Sequence, residues 1–238
     1  MFTLKARHAP DNGLHFWAAL CLASILGCNT GDYYASLFGL LGGLPALIIG
    51  FALVLGVEQR DPGHSKAFYW IAIILVRTAA TNLADFVAHQ TGIVYALVTL
   101  AALMLAVMLL ARVRRGATGR ASDALPAIDG AYWTTMLIAG TLGTALGDFC
   151  SKSGLGLGGA SIVLSVVVAV LIAIKLSRPL AFTLSYWLVV VAIRAGGTSV
   201  GDWFAHHVGL WQSTLAFAVL LTAFLRARPR REVALPAA

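Results

Sequence analysis

The stretch YWIAIILVRTAATNLADFVAHQTG, residues 69–92, decides the fold because it returns 117 residues later as YWLVVVAIRAGGTSVGDWFAHHVG, residues 186–209. The two copies carry Tyr, Trp, Arg, Thr, Asp, His and Gly at the same seven offsets. Each copy is apolar and exceeds the length of about 20 residues that a membrane-spanning helix needs. Apolar segments that keep an Arg and an Asp through a duplication indicate an internal repeat of a membrane protein.

Four units share the beginning of this pattern. In each unit an aromatic residue precedes a tryptophan, and an aspartate follows that tryptophan by fifteen residues. The tryptophans are Trp17, Trp70, Trp133 and Trp187, and the aspartates are Asp32, Asp85, Asp148 and Asp202. Successive tryptophans are 53, 63 and 54 residues apart, which leaves room for two membrane-spanning helices in each unit. The first two units correspond to the last two at a separation of 116 or 117 residues.

The composition favours lipid as the surroundings of most of the chain. Of its 238 residues, 59% are hydrophobic and 11% are charged, whereas a soluble domain has about 25% charged residues. Eight apolar segments are long enough to span a bilayer: 14–35, 40–57, 68–89, 93–111, 131–151, 157–174, 182–206 and 210–225. We therefore predict an all-α membrane protein with eight transmembrane helices, arranged as four parallel helical-hairpin repeats in two duplicated four-helix halves.

The positive charges indicate an orientation. The net charge is +7, and fourteen of the seventeen Lys and Arg residues lie near the two ends of the chain or after even-numbered helices. By the positive-inside rule, this predicts a multi-pass protein of a bacterial inner membrane with both termini in the cytoplasm. The predicted parts are a cytoplasmic N-terminus (1–13), a first half (14–111), a cytoplasmic basic linker (112–129), a second half (130–225) and a cytoplasmic basic tail (226–238). A basic tail beside a membrane binds anionic lipid, so we expect no nucleic-acid partner.

The segment at residues 25–28 offers an alternative interpretation of the N-terminal region. Its sequence, Ile-Leu-Gly-Cys, resembles a lipoprotein cleavage site. Cleavage would destroy the first unit, so we prefer a retained first helix. The cysteines, Cys21, Cys28 and Cys150, all lie in apolar segments and predict no disulfide framework.

The first helix of each unit carries a polar stripe. In units two and four the stripe residues are spaced by four: Arg77, Thr81, Asp85 and His89, then Arg194, Thr198, Asp202 and His206. Residues four apart share one face of a helix. A charged side chain that faces lipid costs about 2.5 to 3.5 kcal/mol near the bilayer centre, so the stripes must face the interior. We therefore expect the four aspartates to gather around a common axis.

This pattern predicts transport of a small ion or solute, most simply a cation that is coupled to protons. The four aspartates, with Thr81 and Thr198, would bind the ion or proton, and Arg77 and Arg194 would tune them as internal counter-ions. The alternative is a membrane scaffold or sensor in which the buried Asp and Arg residues are structural. An enzyme is not expected, because no nucleophile–base–acid set is present, and no cofactor is expected either. Membrane lipid is the other predicted partner.

Three further predictions concern single residue types. His89 and His206 lie four residues after an aspartate and are candidate metal ligands. The four tryptophans are predicted to anchor the helices at the membrane interface. Gly39, Gly92 and Gly209 lie seven residues after their aspartates and are predicted to form the turns inside the hairpins.

The repeated tryptophans also carry a family resemblance. Through Trp17, Trp70, Trp133 and Trp187, the chain resembles a bacterial family of polytopic membrane proteins that consist of four tandem repeats of unknown function. The resemblance covers nearly the whole chain. It implies two transmembrane segments and one characteristic tryptophan in each repeat, and it implies no particular activity.

Overall fold

The computed structural model describes residues 13–61, 65–115, 126, 128–177 and 183–227. Those residues form helices joined by short turns, with no β-strand among them. This confirms the predicted all-α class. The predicted N-terminal segment, most of the basic linker and nearly all of the basic tail lie outside the described residues.

Helices follow one another along both halves of the chain. The bounds are α1 (Leu14–Phe38), α2 (Leu44–Glu58), α3 (Ala67–Thr91), α4 (Ile93–Arg115), α5 (Gly130–Cys150), α6 (Gly156–Ser177), α7 (Thr183–Val208) and α8 (Leu210–Arg226). The segment Ser151–Leu155 joins α5 to α6, and the chain is kinked there, because Ser153 and Gly154 have non-helical backbone angles. Because α4 continues to Arg115, the first four residues of the predicted linker are helical.

Five of these helical stretches are long and apolar enough to cross a membrane. They are Leu14–Phe38, Ala67–Thr91, Ile93–Leu110, Gly130–Ser177 and Ser185–Val208. Two shorter helices, α2 and α8, are also apolar. Length and composition therefore support association with a membrane.

Left-handed glycines end the first helix of three units. Gly39, Gly92 and Gly209 have φ angles of 73°, 83° and 96°. Residues other than glycine rarely adopt such φ angles, and glycine is the usual residue just past a helix C-terminus. The predicted turn glycines are confirmed. In unit three, Gly154 and Gly156 take this role, with φ angles of 94° and 65°.

The helices form an inner ring and an outer layer. In the inner ring, α1 contacts α3, α3 contacts α5, α5 contacts α7, and α7 contacts α1. Each outer helix packs on the inner helix of the following unit: α2 on α3, α4 on α5, α6 on α7, and α8 on α1. The outer helices expose large apolar side chains such as Ile48, Val98, Ile162 and Val219. A surface that is so apolar fits a lipid environment.

Glycines bring neighbouring inner helices close together. A Cβ atom added at Gly27 would lie 2.5 Å from Cγ of Arg77, and one added at Gly143 would clash with Cβ of Arg194. One turn further along, Gly31 meets Thr81, and Gly147 meets Thr198. Both series advance along the two sequences together, so the helices in each pair run in the same direction. Small residues at such interfaces allow the backbones to approach closely.

Candidate functional site: a polar axis with an acidic end and an aromatic end

The polar stripes face the centre of the inner ring, and their burial changes along the axis. On α3, Arg77 and Thr81 are buried, Asp85 is partly exposed, and His89 is exposed. The stripe on α7 shows the same gradient. We call the end that holds the aspartates the aspartate end, and the end near the aromatic–Trp pairs the aromatic end. Burial increases from the aspartate end inwards.

The four predicted aspartates meet at the aspartate end. Asp32, Asp85, Asp148 and Asp202 come from α1, α3, α5 and α7, and we call them the acid quartet. Each carboxylate is partly exposed and lies within electrostatic range of the other three. Lys152 Nζ donates a hydrogen bond to Asp148 Oδ2 at 2.9 Å. Within the described residues, this is the one ion pair that a member of the quartet forms.

Arg77 lies on the axis next to the quartet and is fully buried. Its Nε donates to the carbonyl oxygen of Ser24 at 3.3 Å, which links α3 to α1. Its Nη1 donates to the carbonyl oxygen of Gly140 and to the Thr144 hydroxyl of α5. Its Nη2 donates to the carbonyl oxygen of Arg194 at 3.2 Å and to the Thr198 hydroxyl of α7 at 2.6 Å. All five N–H donors of the guanidinium are thus used, and they tie four helices together.

Arg194 occupies the equivalent place on α7 but has a different environment. It is also fully buried, and its Nη2 lies 3.2 Å from Sδ of Met136. Its Nε and Nη1 have no hydrogen-bond partner among the described residues. Met136 lies one turn before Gly140 on α5, so this side chain turns towards the aromatic end. The axis has room for one guanidinium at the level of Arg77, and Arg194 is displaced from it.

The two arginines therefore do not pair with the acid quartet. Arg77 is within electrostatic range of Asp32, Asp85 and Asp202. Its hydrogen bonds nevertheless go to uncharged oxygens, and neither arginine forms an ion pair with an aspartate in the described part of the chain. The predicted Asp and Arg residues fall into two layers, one acidic and partly exposed, the other cationic and buried. Thr81 donates only within its own helix, to the carbonyl oxygen of Arg77, whereas Thr198 accepts from Arg77 and donates to the carbonyl oxygen of Arg194.

A ring of aromatic side chains closes the other end of the axis. Tyr132 Oη is 2.7 Å from Tyr69 Oη and 3.1 Å from Tyr186 Oη, so three hydroxyls form a hydrogen-bonded chain. Phe16 fills the fourth place without a hydroxyl. Each of these rings packs against the indole of a neighbouring unit: Phe16 on Trp70, Tyr69 on Trp133, Tyr132 on Trp187, and Tyr186 on Trp17. The ring is continuous through all four units.

The tryptophans are buried in the structure, whereas the predicted interfacial anchors would present their rings on the surface. Their exposures are 0% for Trp17, 5% for Trp70 and 4% for both Trp133 and Trp187. An interfacial anchor must present its ring to the lipid headgroups, whereas each of these indoles is covered by the aromatic residue of the preceding unit, with unit four preceding unit one. The signal for this arrangement was present in the sequence, because every unit places a second aromatic residue directly before its tryptophan.

The structure adds no support for the predicted histidine metal site, which stays a prediction. His89 and His206 are exposed and belong to no group of metal-ligating side chains among the described residues. The structure instead brings Cys28 together with Asp32 and Asp202, and their ligand atoms lie within 4.8 Å of one another. Cys28 stands four residues before Asp32, on the same stripe, and this spacing was visible in the sequence. The contribution of Asp202 depends on the contact between α1 and α7.

A large groove lies outside the polar axis. It has a volume of about 630 Å³ and is lined almost entirely by carbon atoms of α1, α6 and α7, including Cys21, Ile25 and Val168. The polar chemistry of the molecule lies on the axis instead.

The fold and the axis define an all-helical protein with apolar helices around a polar interior. Two segments, residues 131–178 and 185–233, match the family described as Repeat of Unknown Function (DUF347). The first segment covers α5 and α6, and the second covers α7 and α8. Comparisons with curated proteins and with solved structures give no match. The second half is thus similar to a repeat family, and activity has to be inferred from the site.

Proposed function

We propose that this chain is a membrane transporter or ion-conducting protein that binds a small cation, or protons, at the acid quartet. The observation that supports this most is the convergence of four partly exposed carboxylates from four helices. Two cations, Lys152 and Arg77, lie within electrostatic range of the quartet. Four carboxylates against these two cations leave a negative potential, which attracts cations to this end of the axis.

The proposal includes eight membrane crossings in four repeats. The stretch Gly130–Ser177 has 48 residues, and a helix of that length measures about 72 Å, more than twice the thickness of a bilayer core. It must therefore cross twice, and Ser153 and Gly154 break the helical backbone between α5 and α6. Helices α2 and α8 would complete the outer layer. The first half would contain two repeats of the kind that the family model matches in the second half.

The proposed orientation follows from the basic residues. Arg60 follows α2, and the basic segment 112–115 forms the last turn of α4, both on the side of the aromatic end. By the positive-inside rule this side would face the cytoplasm of a bacterium, with both termini there. The acid quartet would then open to the outer side of the inner membrane. In this structure the axis is closed at the aromatic end, so it would represent the state that is accessible from outside.

The experiment is a flux assay in proteoliposomes. The purified protein is reconstituted, and the entry of protons and of small cations is followed with dyes inside the vesicles. Asp32→Asn with Asp202→Asn should abolish flux, because two of the four charges are lost. Asp129→Asn is the matched control, since it removes a carboxylate at the other end while Asn still caps α5. Unchanged flux in the double variant would end the proposal.

A second candidate function is a non-transporting scaffold or sensor. It is favoured by the Arg77 hydrogen bonds, which lock four helices together, and by the closed aromatic ring. This candidate predicts that wild-type proteoliposomes carry no cation flux above empty vesicles. It also predicts that the aspartate variants change only the stability of the protein.

A further inference from the structure

The two halves of the acid quartet are not equivalent. The first group is Cys28, Asp32, Ser36 and Asp202, and the second group is Thr144, Asp148, Lys152 and Asp85. The repeat relates the members of the two groups to one another in that order. The first group holds a thiol between two carboxylates, and the second holds a hydroxyl in its place. The first group also lacks the lysine that the second group contains.

The second group contains its own cation. Lys152 forms the ion pair with Asp148 and is within electrostatic range of Asp85. The Thr144 hydroxyl of this group accepts from Arg77. A cation from the chain itself therefore offsets the Asp85 and Asp148 carboxylates.

The first group has no such cation. Ser36 replaces the lysine, and its hydroxyl donates to the carbonyl oxygen of Tyr33 in its own helix at 2.6 Å. Asp32 and Asp202 make no ion pair among the described residues. Arg77 acts on both carboxylates only at a distance, because its N–H groups are donated to other oxygens, and Lys152 acts on Asp202 only at a distance, because its ammonium group pairs with Asp148. This pair of carboxylates is thus open to a cation from outside.

The donor atoms indicate which kind of cation fits. The Cys28 thiol is 1% exposed, and its Sγ lies within 4.8 Å of a carboxylate oxygen of both aspartates. Around one tetrahedral ion, with metal–ligand bonds of about 2.0–2.3 Å, donor atoms are roughly 3.5 Å apart. Small changes of side-chain rotamer would bring the three together. A thiolate with two carboxylates suits a divalent ion of borderline softness, whereas alkali cations and Ca²⁺ prefer oxygen alone.

We propose that Cys28, Asp32 and Asp202 bind one divalent transition-metal ion of the Zn²⁺ and Co²⁺ class at the aspartate end. In the second group the Lys152 ammonium already pairs with Asp148, in the place that the metal ion takes in the first group. One ion therefore binds per chain. This inference names the cation class of the proposed function and rests on it. Three protein ligands leave one position of a tetrahedral ion for water, as an ion that must be released again requires.

Co²⁺ titration of the purified full-length protein in detergent tests the site, because a cobalt–thiolate bond gives a near-ultraviolet charge-transfer band. One Co²⁺ should bind per chain with that band, and Zn²⁺ should displace it. Cys28→Ser should abolish the band. Asp202→Asn should weaken Co²⁺ binding by at least about 10- to 100-fold, the loss that follows removal of a residue that only hydrogen-bonds a metal ligand. Cys21→Ser and Cys150→Ser are thiol controls and should keep the band.

Two further variants use the repeat itself. Asp85→Asn, the counterpart of Asp202→Asn, should change Co²⁺ affinity far less than that variant does. Ser36→Lys should prevent Co²⁺ binding, because it places in the first group the lysine that the second group has. Absence of a thiolate band in the wild type, or its persistence in Cys28→Ser, would overturn the metal site.

Failure of this inference can be separated from failure of the proposed function. If the metal site is wrong, Co²⁺ does not bind, yet a proton or alkali-cation flux that depends on Asp32 and Asp202 remains. If the proposed function is wrong, Co²⁺ binds in detergent, yet no cation crosses the membrane of proteoliposomes.

Discussion

The two halves of the molecule place an arginine at the same point of the repeat, 117 residues apart, and give it opposite surroundings. Arg77 donates five hydrogen bonds to oxygens of three neighbouring helices. Arg194 is equally buried, but within the described part of the chain its guanidinium makes one polar contact, to a methionine sulfur. Two equivalent side chains that point at one axis cannot share the same place. The backbone positions therefore follow the repeat, whereas the side-chain contacts between units do not.

The largest expected effect separates the two arginines. Arg77→Met should lower the free energy of unfolding by about 3–5 kcal/mol, because it removes the hydrogen bonds that join the inner helices. Arg194→Met should leave stability within about 1 kcal/mol of the parent or raise it, since a buried guanidinium without partners is unfavourable. Unfolding by SDS in mixed micelles measures both. Equal losses in the two variants would contradict the contrast drawn above.

The next effect concerns the helix contacts on either side of the ring. In one contact Gly197 lies against Ser24, and in its counterpart Ala80 lies against Gly140. Gly197→Ala should cost about 1–3 kcal/mol, because its Cβ would lie 2.7 Å from Cβ of Ser24.

Rescue provides the control for this clash. Adding Ser24→Gly to Gly197→Ala reproduces the arrangement of the other half and should restore most of the stability, measured in the same SDS titration. A double variant that is no more stable than Gly197→Ala would show that the two contacts are not interchangeable.

A smaller effect is expected at the aromatic end. Tyr132→Phe gives the second half the residue that the first half has at Phe16, and it leaves the hydroxyls of Tyr69 and Tyr186 without their shared partner. We expect a loss of about 1–2 kcal/mol. Tyr186→Phe removes one end of the chain of hydroxyls and should cost about half as much. Thermal unfolding of the two variants, followed by tryptophan fluorescence, distinguishes a chain centred on Tyr132 from three independent hydroxyls.

The smallest effect belongs to Lys152. Lys152→Ser copies Ser36 and removes the ion pair with Asp148, but the lysine side chain is 69% exposed. Exposed ion pairs contribute about 0–1 kcal/mol, so the melting temperature in detergent should hardly change. A large loss of stability would mean that this lysine is structural rather than a counter-ion of the second acid pair.

Much of the architecture could be predicted because the residues that determine it recur in several units. The glycines seven residues after the aspartates predicted turns, and Gly39, Gly92 and Gly209 have the required φ angles. The spacing of four in the stripes placed the aspartates on one face of each helix, and lipid excludes such a face. From these two patterns the helical class and the gathering of the quartet followed.

Other parts of the site depended on contacts that one helix cannot reveal. Nothing in the sequence distinguishes Arg77 from Arg194, because which one takes the axis depends on the packing of four helices. The metal-ligating group joins Cys28 of α1 with Asp202 of α7, at opposite ends of the sequence. The tryptophans were predicted at the interface because aromatic belts are common there. In the structure they are buried, because each indole packs against the aromatic residue of the preceding unit, and the indole of unit one packs against the aromatic residue of unit four.

The origin of the acceptors around Arg77 has a consequence for how the protein is made. Four of them belong to α5 and α7, which a ribosome synthesises long after α3. In the proposed membrane arrangement, the first half would be inserted with its guanidinium before most of the acceptors of that group exist. Helix α8, the last described, packs on α1, the first described. The polar interior would then be complete only after synthesis of α7 and α8, and until that point the early helices would need water or the insertion machinery around the guanidinium.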